Sequence, residues 1–164
     1  MKKRKLVLIL LIGMVLQSTI ISRIEIFGVH ANVILPLIIV ISLFEGSYIG
    51  GVFGVCSGMI EEILFSPIIG LRVLYYFSMG YFVGEYGKRV NSRSMKPILY
   101  FSVITTCIGH LGVRLLLIYM EREGIGFNLF DLTLGIELLW NIGLTFLFFY
   151  LYGRGRKRKN YYGF

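Results

Sequence analysis

An all-helical integral membrane protein of six transmembrane helices is what this sequence predicts, on three observations. The 164 residues are 56% hydrophobic and only 16% charged, with a mean hydropathy of +0.76. The apolar residues fall into six runs separated by short polar, glycine- or proline-containing connections. The basic residues gather in tracts that abut those runs. A soluble domain carries about 25% charged residues, and a chain this small cannot hide such an apolar excess in a core. The bilayer is therefore the solvent that the composition calls for. At about 20 residues per crossing, six spans use most of the chain. One membrane domain over 1–153 and a basic cytoplasmic tail over 154–164 are expected, without a separate catalytic or nucleotide-binding domain.

The first run, Leu6 to Ile21, follows Lys2, Lys3, Arg4 and Lys5. A signal peptide begins in the same way, and Val29-His30-Ala31 could pass for a cleavage site. The run is longer than a signal's apolar stretch, and Arg23 to Phe27 before the site is long and bulky, so an uncleaved span is expected. The second run, Asn32 to Phe44, is short and holds Pro36. Proline is tolerated in a span because neighbouring groups can satisfy the freed carbonyl. Glu45-Gly46 makes a tight connection to the third run, Ser47 to Phe65, which is glycine-rich. Ser66-Pro67 ends it, and the fourth run goes from about Ile69 to Tyr86. After the basic loop 87–97, the fifth run is Ile98 to Met120. After the acidic loop 121–131, the sixth is Leu132 to Tyr152.

Orientation follows from charge. Thirteen of the 17 basic residues lie in three tracts, at 2–5, at Lys88, Arg89, Arg93 and Lys96, and at Arg154, Arg156, Lys157, Arg158 and Lys159. Cytoplasmic loops carry such an excess. Four crossings before the middle tract and two after it place all three tracts, and both termini, in the cytoplasm of a multi-pass inner-membrane protein. The net charge of +8 then reflects topology and attraction to anionic lipid, not nucleic acid, for which no binding fold fits between the spans. Tyrosines and Trp140 cluster near the run ends, as in interfacial aromatic belts. Cys56 and Cys107 lie inside apolar runs without a His or Cys at ligand spacing, so no metal, redox site or cofactor is expected.

Three constellations stand out. Gly46, Gly50, Gly54 and Gly58 recur every fourth residue, as do Gly80 and Gly84. On a helix each set lines one face and lets backbones approach closely in lipid. The partner helix could be internal or belong to another protein. Next, His110 and Arg114 share one face of the fifth span, and Glu137 and Asn141 share one face of the sixth. Counted from the outer loop at 1.5 Å per residue, Arg114 and Glu137 both lie roughly 9 Å deep. Two rungs are expected, Arg114 with Glu137 and His110 with Asn141, because unpaired charge in lipid is costly. They could form a structural clasp, a partner- or ligand-facing polar site, or a proton relay. Last, Glu61 and Glu62 end the third span and Arg72 begins the fourth, all at the outer boundary. A carboxylate pair can do acid–base work, and membrane CAAX-type proteases carry Glu-Glu-x-x-x-Arg. Here Ser66 stands at the arginine's place, and a solvated helix end is the reading preferred. Neither His-Glu-x-x-His nor a Walker A loop is present, and no catalytic residue is assigned.

The residues also resemble a known family. Leu16-Gln17-Ser18-Thr19, the stretch Gly28 to Asn32, and the glycine ladder running into Gly58-Met59-Ile60-Glu61-Glu62 resemble the rod shape-determining protein MreD family. Gly70-Leu71, Gly80-Tyr81-x-x-Gly84 and Glu137-Leu138-Leu139-Trp140-Asn141 add to the likeness, which covers nearly the whole chain. Ala31, Glu62, Arg72 and Ile136 depart from the residues usual there. The resemblance implies a non-enzymatic component of the bacterial cell-elongation complex. Such proteins act with the MreC scaffold, the actin-like MreB, RodA and a penicillin-binding transpeptidase in lateral peptidoglycan synthesis. It also implies a fold similar to the substrate-binding subunits of energy-coupling-factor transporters. That relation supplies the rival reading, a small-molecule-binding transporter subunit.

Overall fold

The computed structural model describes residues 3–19, 25–26, 29–30, 32–65, 70–89, 95–119 and 132–153. Six helices account for almost all of them: α1 (Lys3–Thr19), α2 (Ile34–Glu45), α3 (Ser47–Phe65), α4 (Leu71–Gly87), α5 (Met95–Tyr119) and α6 (Leu132–Gly153). Between α1 and α2 lies a minimal antiparallel pair, β1 (Glu25–Ile26) and β2 (Val29–His30), with Glu25 opposite His30. That pair is the departure from an all-helical expectation. Among the described residues, three helical segments are long and apolar enough to cross a membrane: Ser47–Phe65, Lys96–Val113 and Leu132–Tyr152. The helices α1 and α4 have 17 residues each and α2 has 12.

The short α2 is the centre of the bundle. It is apolar on every side, and every residue from Ile34 to Leu43 is buried, the pattern of a helix enclosed by others. It packs against all five of its fellows. At 1.5 Å per residue it is about 18 Å long, less than the roughly 30 Å of a bilayer's hydrocarbon core. Pro36 does not need a neighbour's rescue as the sequence suggests. It lies in the first turn, where backbone N–H groups have no intrahelical acceptor in any case. The first intrahelical bond runs instead from Leu37 N to Val33 O at 3.2 Å. Pro97 occupies the same kind of position, in the first turn of α5.

The most extensive helix contact is between α3 and α4, and it is made backbone to backbone. A Cβ on Gly50 would lie 2.6 Å from Gly80 O, one on Gly54 2.6 Å from Tyr76 C, and one on Gly58 2.7 Å from Val73 Cα. From the other side, a Cβ on Gly84 would lie 2.5 Å from Ser47 Cα. The partner of the glycine ladder is therefore inside the chain. Gly46 is not a rung of it. It terminates α2 with φ +92°, a conformation that a side chain disfavours, and a Cβ there would meet nothing within 4 Å.

Polarity across the bundle differs from that of a soluble protein: beside an apolar core the interior holds polar side chains, and the outside carries many large apolar ones. Ser42, Ser57, Ser102, Thr105, Thr106, Asn141 and Thr145 are buried, while Leu8, Val15, Ile63, Leu74, Leu139 and Leu151 are exposed. Apolar side chains outward and hydrogen-bonding groups inward is the arrangement that lipid selects.

Candidate functional site

Two polar networks lie inside this apolar exterior. The first joins four helix ends. The helix α1 ends, α2 begins, α3 ends and α4 begins at the same end of the bundle. Gln17, in the last turn of α1, accepts a hydrogen bond from Val33 N at 2.8 Å. Asn32 Oδ1 accepts from Ile34 N at 2.9 Å and Leu35 N at 3.1 Å, capping two of the orphan donors of α2. Its Nδ2 donates to the Tyr76 hydroxyl at 2.8 Å. Tyr76 is fully enclosed, and its hydroxyl, with its own proton left to donate, lies beside the Glu61 carboxylate. Glu61 Oε1 accepts from Arg72 Nη1 at 2.8 Å. Glu61 Oε2 is buried and has no hydrogen-bond partner of good geometry among the described residues.

Glu62 does different work. One carboxylate oxygen accepts from Gly70 N at 2.6 Å, and the other accepts from Arg72 N and, more weakly, from Val73 N at 3.4 Å. A side chain of α3 thus caps the start of α4 and places its charge at the positive end of that helix. The helix has no acidic residue of its own in its first turn. This corrects the picture of a solvated helix end: Glu61 is 4% and Glu62 1% exposed. The physical reason is the glycine contact beside them. It brings the two backbones so close that α3 carboxylates reach α4 amides without water between. Only the Arg72 side chain, 44% exposed, opens outward.

The second network is a ladder between α5 and α6. Ser102 Oγ meets Thr145 Oγ1 at 3.3 Å, Asn141 Nδ2 donates to Thr106 Oγ1 at 2.9 Å, and His110 Nδ1 meets Glu137 Oε2 at 3.0 Å. Each rung is one helical turn from the next. The lower hydroxyls also donate to carbonyls of their own helices, Thr106 to Ser102 O at 2.8 Å and Thr145 to Asn141 O. The Tyr75 hydroxyl of α4 donates to Thr105 O, which joins a third helix to the pair. His110 Nε2, Asn141 Oδ1 and Thr133 Oγ1 are buried without a partner among the described residues.

The rungs differ from those expected. His110 faces Glu137 rather than Asn141, and Asn141 faces Thr106, so the register is displaced by one turn. The side chain of Arg114 lies outside the described residues, as do the loop 120–131 and the tail 154–164. Matching depths by counting from the loop assumes equal approach on both sides. The hydroxyl rungs lower down set the register instead. Their signal was present in the sequence, since Ser102, Thr106 and His110 repeat every four residues, as do Glu137, Asn141 and Thr145. Gln17, Asn32 and Tyr76 do not stand out as a polar group in the sequence, because they are distant in it and only the antiparallel packing assembles them. No group of three or more His, Cys, Asp or Glu side chains suited to a metal ion occurs among the described residues. The two cysteines are free.

An apolar exterior, a backbone-packed helix pair and interior polar groups that bind helix to helix define a small helical membrane protein. Within that class the chain belongs to the MreD family: the family model for the rod shape-determining protein MreD matches residues 2–154. No curated protein and no solved structure matches the chain. It is thus a rod-shape-determining membrane protein.

Proposed function

We propose that this chain is a non-enzymatic inner-membrane component of the cell-elongation complex. In this reading it scaffolds lateral peptidoglycan synthesis through contact with an MreC-like membrane protein, and with it RodA, a penicillin-binding transpeptidase and MreB. It would cross the membrane six times with both termini in the cytoplasm. The family match supports the process. One observation carries the scaffold reading: the carboxylates, amides and hydroxyls inside the bundle are engaged in tying helices together. A reaction centre needs groups aimed at a shared cavity instead. The rival reading, a small-molecule-binding subunit of an energy-coupling-factor-type transporter, gains nothing from the family match.

The test is depletion in a rod-shaped host, combined with in-cell crosslinking from outward positions such as Leu74, Leu139 and Val15 and identification of the captured proteins. Rounding of the cells with capture of an MreC-like protein is expected. Purified protein that turns over a lipid-linked precursor without other subunits would overturn the non-enzymatic assignment.

A further inference from the structure

Helices α3 and α4 have 19 and 17 residues, against 25 and 22 for α5 and α6. At 1.5 Å per residue the first pair is roughly 26–29 Å long and the second roughly 33–38 Å. A hydrocarbon core of about 30 Å falls between the two. The shortfall of α3 and α4 lies at one end of the bundle. At the opposite end each of the four helices carries an exposed tyrosine: Tyr48, Tyr86, Tyr100 and Tyr150. Ser47 donates to Glu85 at 3.0 Å, Ser102 meets Thr145 at 3.3 Å and Tyr152 donates to Glu45 at 3.0 Å, so these helix ends lie together. Tyrosines so placed mark a membrane–water interface. Counted from them, Glu61 stands about 20 Å and Arg72 about 21 Å along their helices, and any tilt lowers these heights.

We infer that the bilayer is thinned at the α3–α4 corner, its headgroup layer drawn inward to Arg72. In a flat bilayer Arg72 and Glu61 would lie about 10 Å inside the hydrocarbon. Glu61 is buried there, but the Arg72 side chain is half-exposed. Leu64 and Phe65, one turn beyond Glu61, and Leu71 beside Arg72 are exposed and apolar, so lipid and not an aqueous cleft surrounds the corner. A free arginine at this depth would extend to the interface. This one is held down by its 2.8 Å bond to Glu61, on a helix pair whose backbones touch and cannot slide. One N–H is answered by that bond, and the guanidinium has others that open outward with it. If the cation cannot rise, acceptors have to descend: water and the phosphate and ester oxygens of the lipid. Thinning around a short hydrophobic stretch costs little per ångström, whereas a charged group left in hydrocarbon is costly. The inference rests on the six-span reading, which puts this corner in the outer leaflet. The longer α5 and α6 make no such demand.

The experiment measures the depth of single spin labels, by collision with oxygen and with a water-soluble nickel complex. The full chain is reconstituted in dimyristoleoyl-, dioleoyl- or dierucoylphosphatidylcholine, a series of increasing thickness. Labels go singly on Cys56, Leu64→Cys or Gly135→Cys, with the other cysteines replaced by alanine. Positions 64 and 135 stand at nearly equal heights, about 24 and 22 Å from Tyr48 and Tyr150. Both are exposed, and a Cβ on Gly135 meets nothing within 4 Å. The label at 135 should sink as the bilayer thickens, while the label at 64 stays at headgroup level. In the thickest bilayer 64 should lie at least about 5 Å nearer the water than 135, half of the inferred descent. Glu61→Gln with Arg72→Leu removes both charges and should let 64 sink to the depth of 135, with helical content unchanged. Arg72→Lys, still cationic, should keep 64 shallow. A label at 64 that sinks as 135 does, with Glu61 and Arg72 intact, would overturn the inference and leave a partner protein as the group that meets Arg72. That arm decides even if the neutral variant fails to fold. A neutral variant that folds and stays shallow at 64 would assign the thinning to helix length and equally overturn the role of Arg72. The exposed Cys56, about 12 Å from Tyr48, tests the reading beneath. It should lie at hydrocarbon depth in every bilayer, and if the nickel complex reaches it, α3 does not cross and the six-span reading fails first.

Discussion

His110 Nδ1 and Glu137 Oε2 lie 3.0 Å apart across the α5–α6 interface, and directly below them Asn141 binds Thr106 rather than His110. The pairing implies a definite pattern of energetic coupling. In a double-mutant cycle, 110 and 137 should couple by about 0.5–3 kcal/mol, the range for residues in contact. Positions 110 and 141, which share no hydrogen bond, should couple more weakly than 110 and 137. Substitutions to Leu at 110 and 137 and to Val at 141, read by thermal unfolding in detergent, supply both cycles. Coupling confined to 110 and 141 would restore the register first expected from depth.

The glycines of α3 are not equivalent, and alanine separates them. At Gly54 a Cβ collides with the Tyr76 backbone, which cannot step aside, so Gly54→Ala should destabilise by about 1–3 kcal/mol. At Gly51 the neighbour is the Phe77 ring at 3.2 Å, which can rotate, and the loss should be smaller. At Gly112 of α5 nothing lies within 4 Å. There Gly→Ala should be neutral or stabilising by up to about 1 kcal/mol, the helix-propensity difference. Unfolding midpoints of the three variants check the order. A Gly54→Ala variant as stable as the parent would mean that the two backbones do not touch.

Gly46 is a separate case, since a Cβ there would enter open space. Its φ of +92° and ψ of 176° lie in a region that is essentially reserved for glycine, which makes Gly46→Ala unfavourable by about 1–3 kcal/mol through backbone strain alone. A variant that also shortens the turn, or releases α2 from α3, should show reduced protection of the Gly50 amide. That amide bonds to Gly46 O at 3.0 Å, and hydrogen exchange reads it directly.

Much of the helical framework was legible because lipid leaves few alternatives. An apolar run bounded by charge or by Ser-Pro has to be a helix when no water is there to satisfy its backbone. Even so, α2 shows where run-reading stops. Asn32 to Phe44 reads as a short span, yet its apolarity on all sides reflects enclosure by five helices. The glycine ladder was visible, but its partner was not, because spacing defines a face and not what lies opposite. Glu61 and Glu62 illustrate the larger gap. Adjacent carboxylates at a helix end look solvated in a sequence, and only the close approach of α4 turns one into a cap and the other into an ion-pair partner. The α5–α6 rungs were half legible: the correct helices and faces, with the register off by one turn because the Ser and Thr hydroxyls set it.

The direction of crossing can be read with reporters. Fusions at 92 and at 160 should report the cytoplasm, and one near 125 the outside, because the three basic tracts demand an even number of crossings between them. A cytoplasmic signal near 125 would remove α5 and α6 as a hairpin of spans. A mixed signal at 92 would mean that α2, at 12 residues, does not complete a crossing with its neighbours.

The two adjacent carboxylates should behave very differently when altered. Glu62 accepts from the amides of Gly70, Arg72 and Val73 and is 1% exposed. Glu62→Ala leaves those donors buried without an acceptor, at about 1–3 kcal/mol for an unsatisfied buried group. Losing a cap at a helix start ordinarily costs about 0.5–2 kcal/mol, so the upper part of that range is expected. Glu62→Gln keeps one oxygen but brings N–H groups toward N–H groups, and should recover only part. Glu62→Asp keeps the charge but shortens the arm that reaches from α3 to α4, so it too should be intermediate. Glu61→Gln still offers an oxygen to Arg72, whose side chain is 44% exposed, and solvent or headgroups can compensate. Its loss should be smaller than that of Glu62→Ala, because only one hydrogen bond of this carboxylate, to a half-exposed partner, is weakened. Hydrogen exchange separates local from global effects. In Glu62→Ala the amides of Gly70, Arg72 and Val73 should lose protection before the rest of α4, whereas in Glu61→Gln they should not. Equal losses in the two variants, with unchanged exchange at 70–73, would mean that Glu62 does not cap α4.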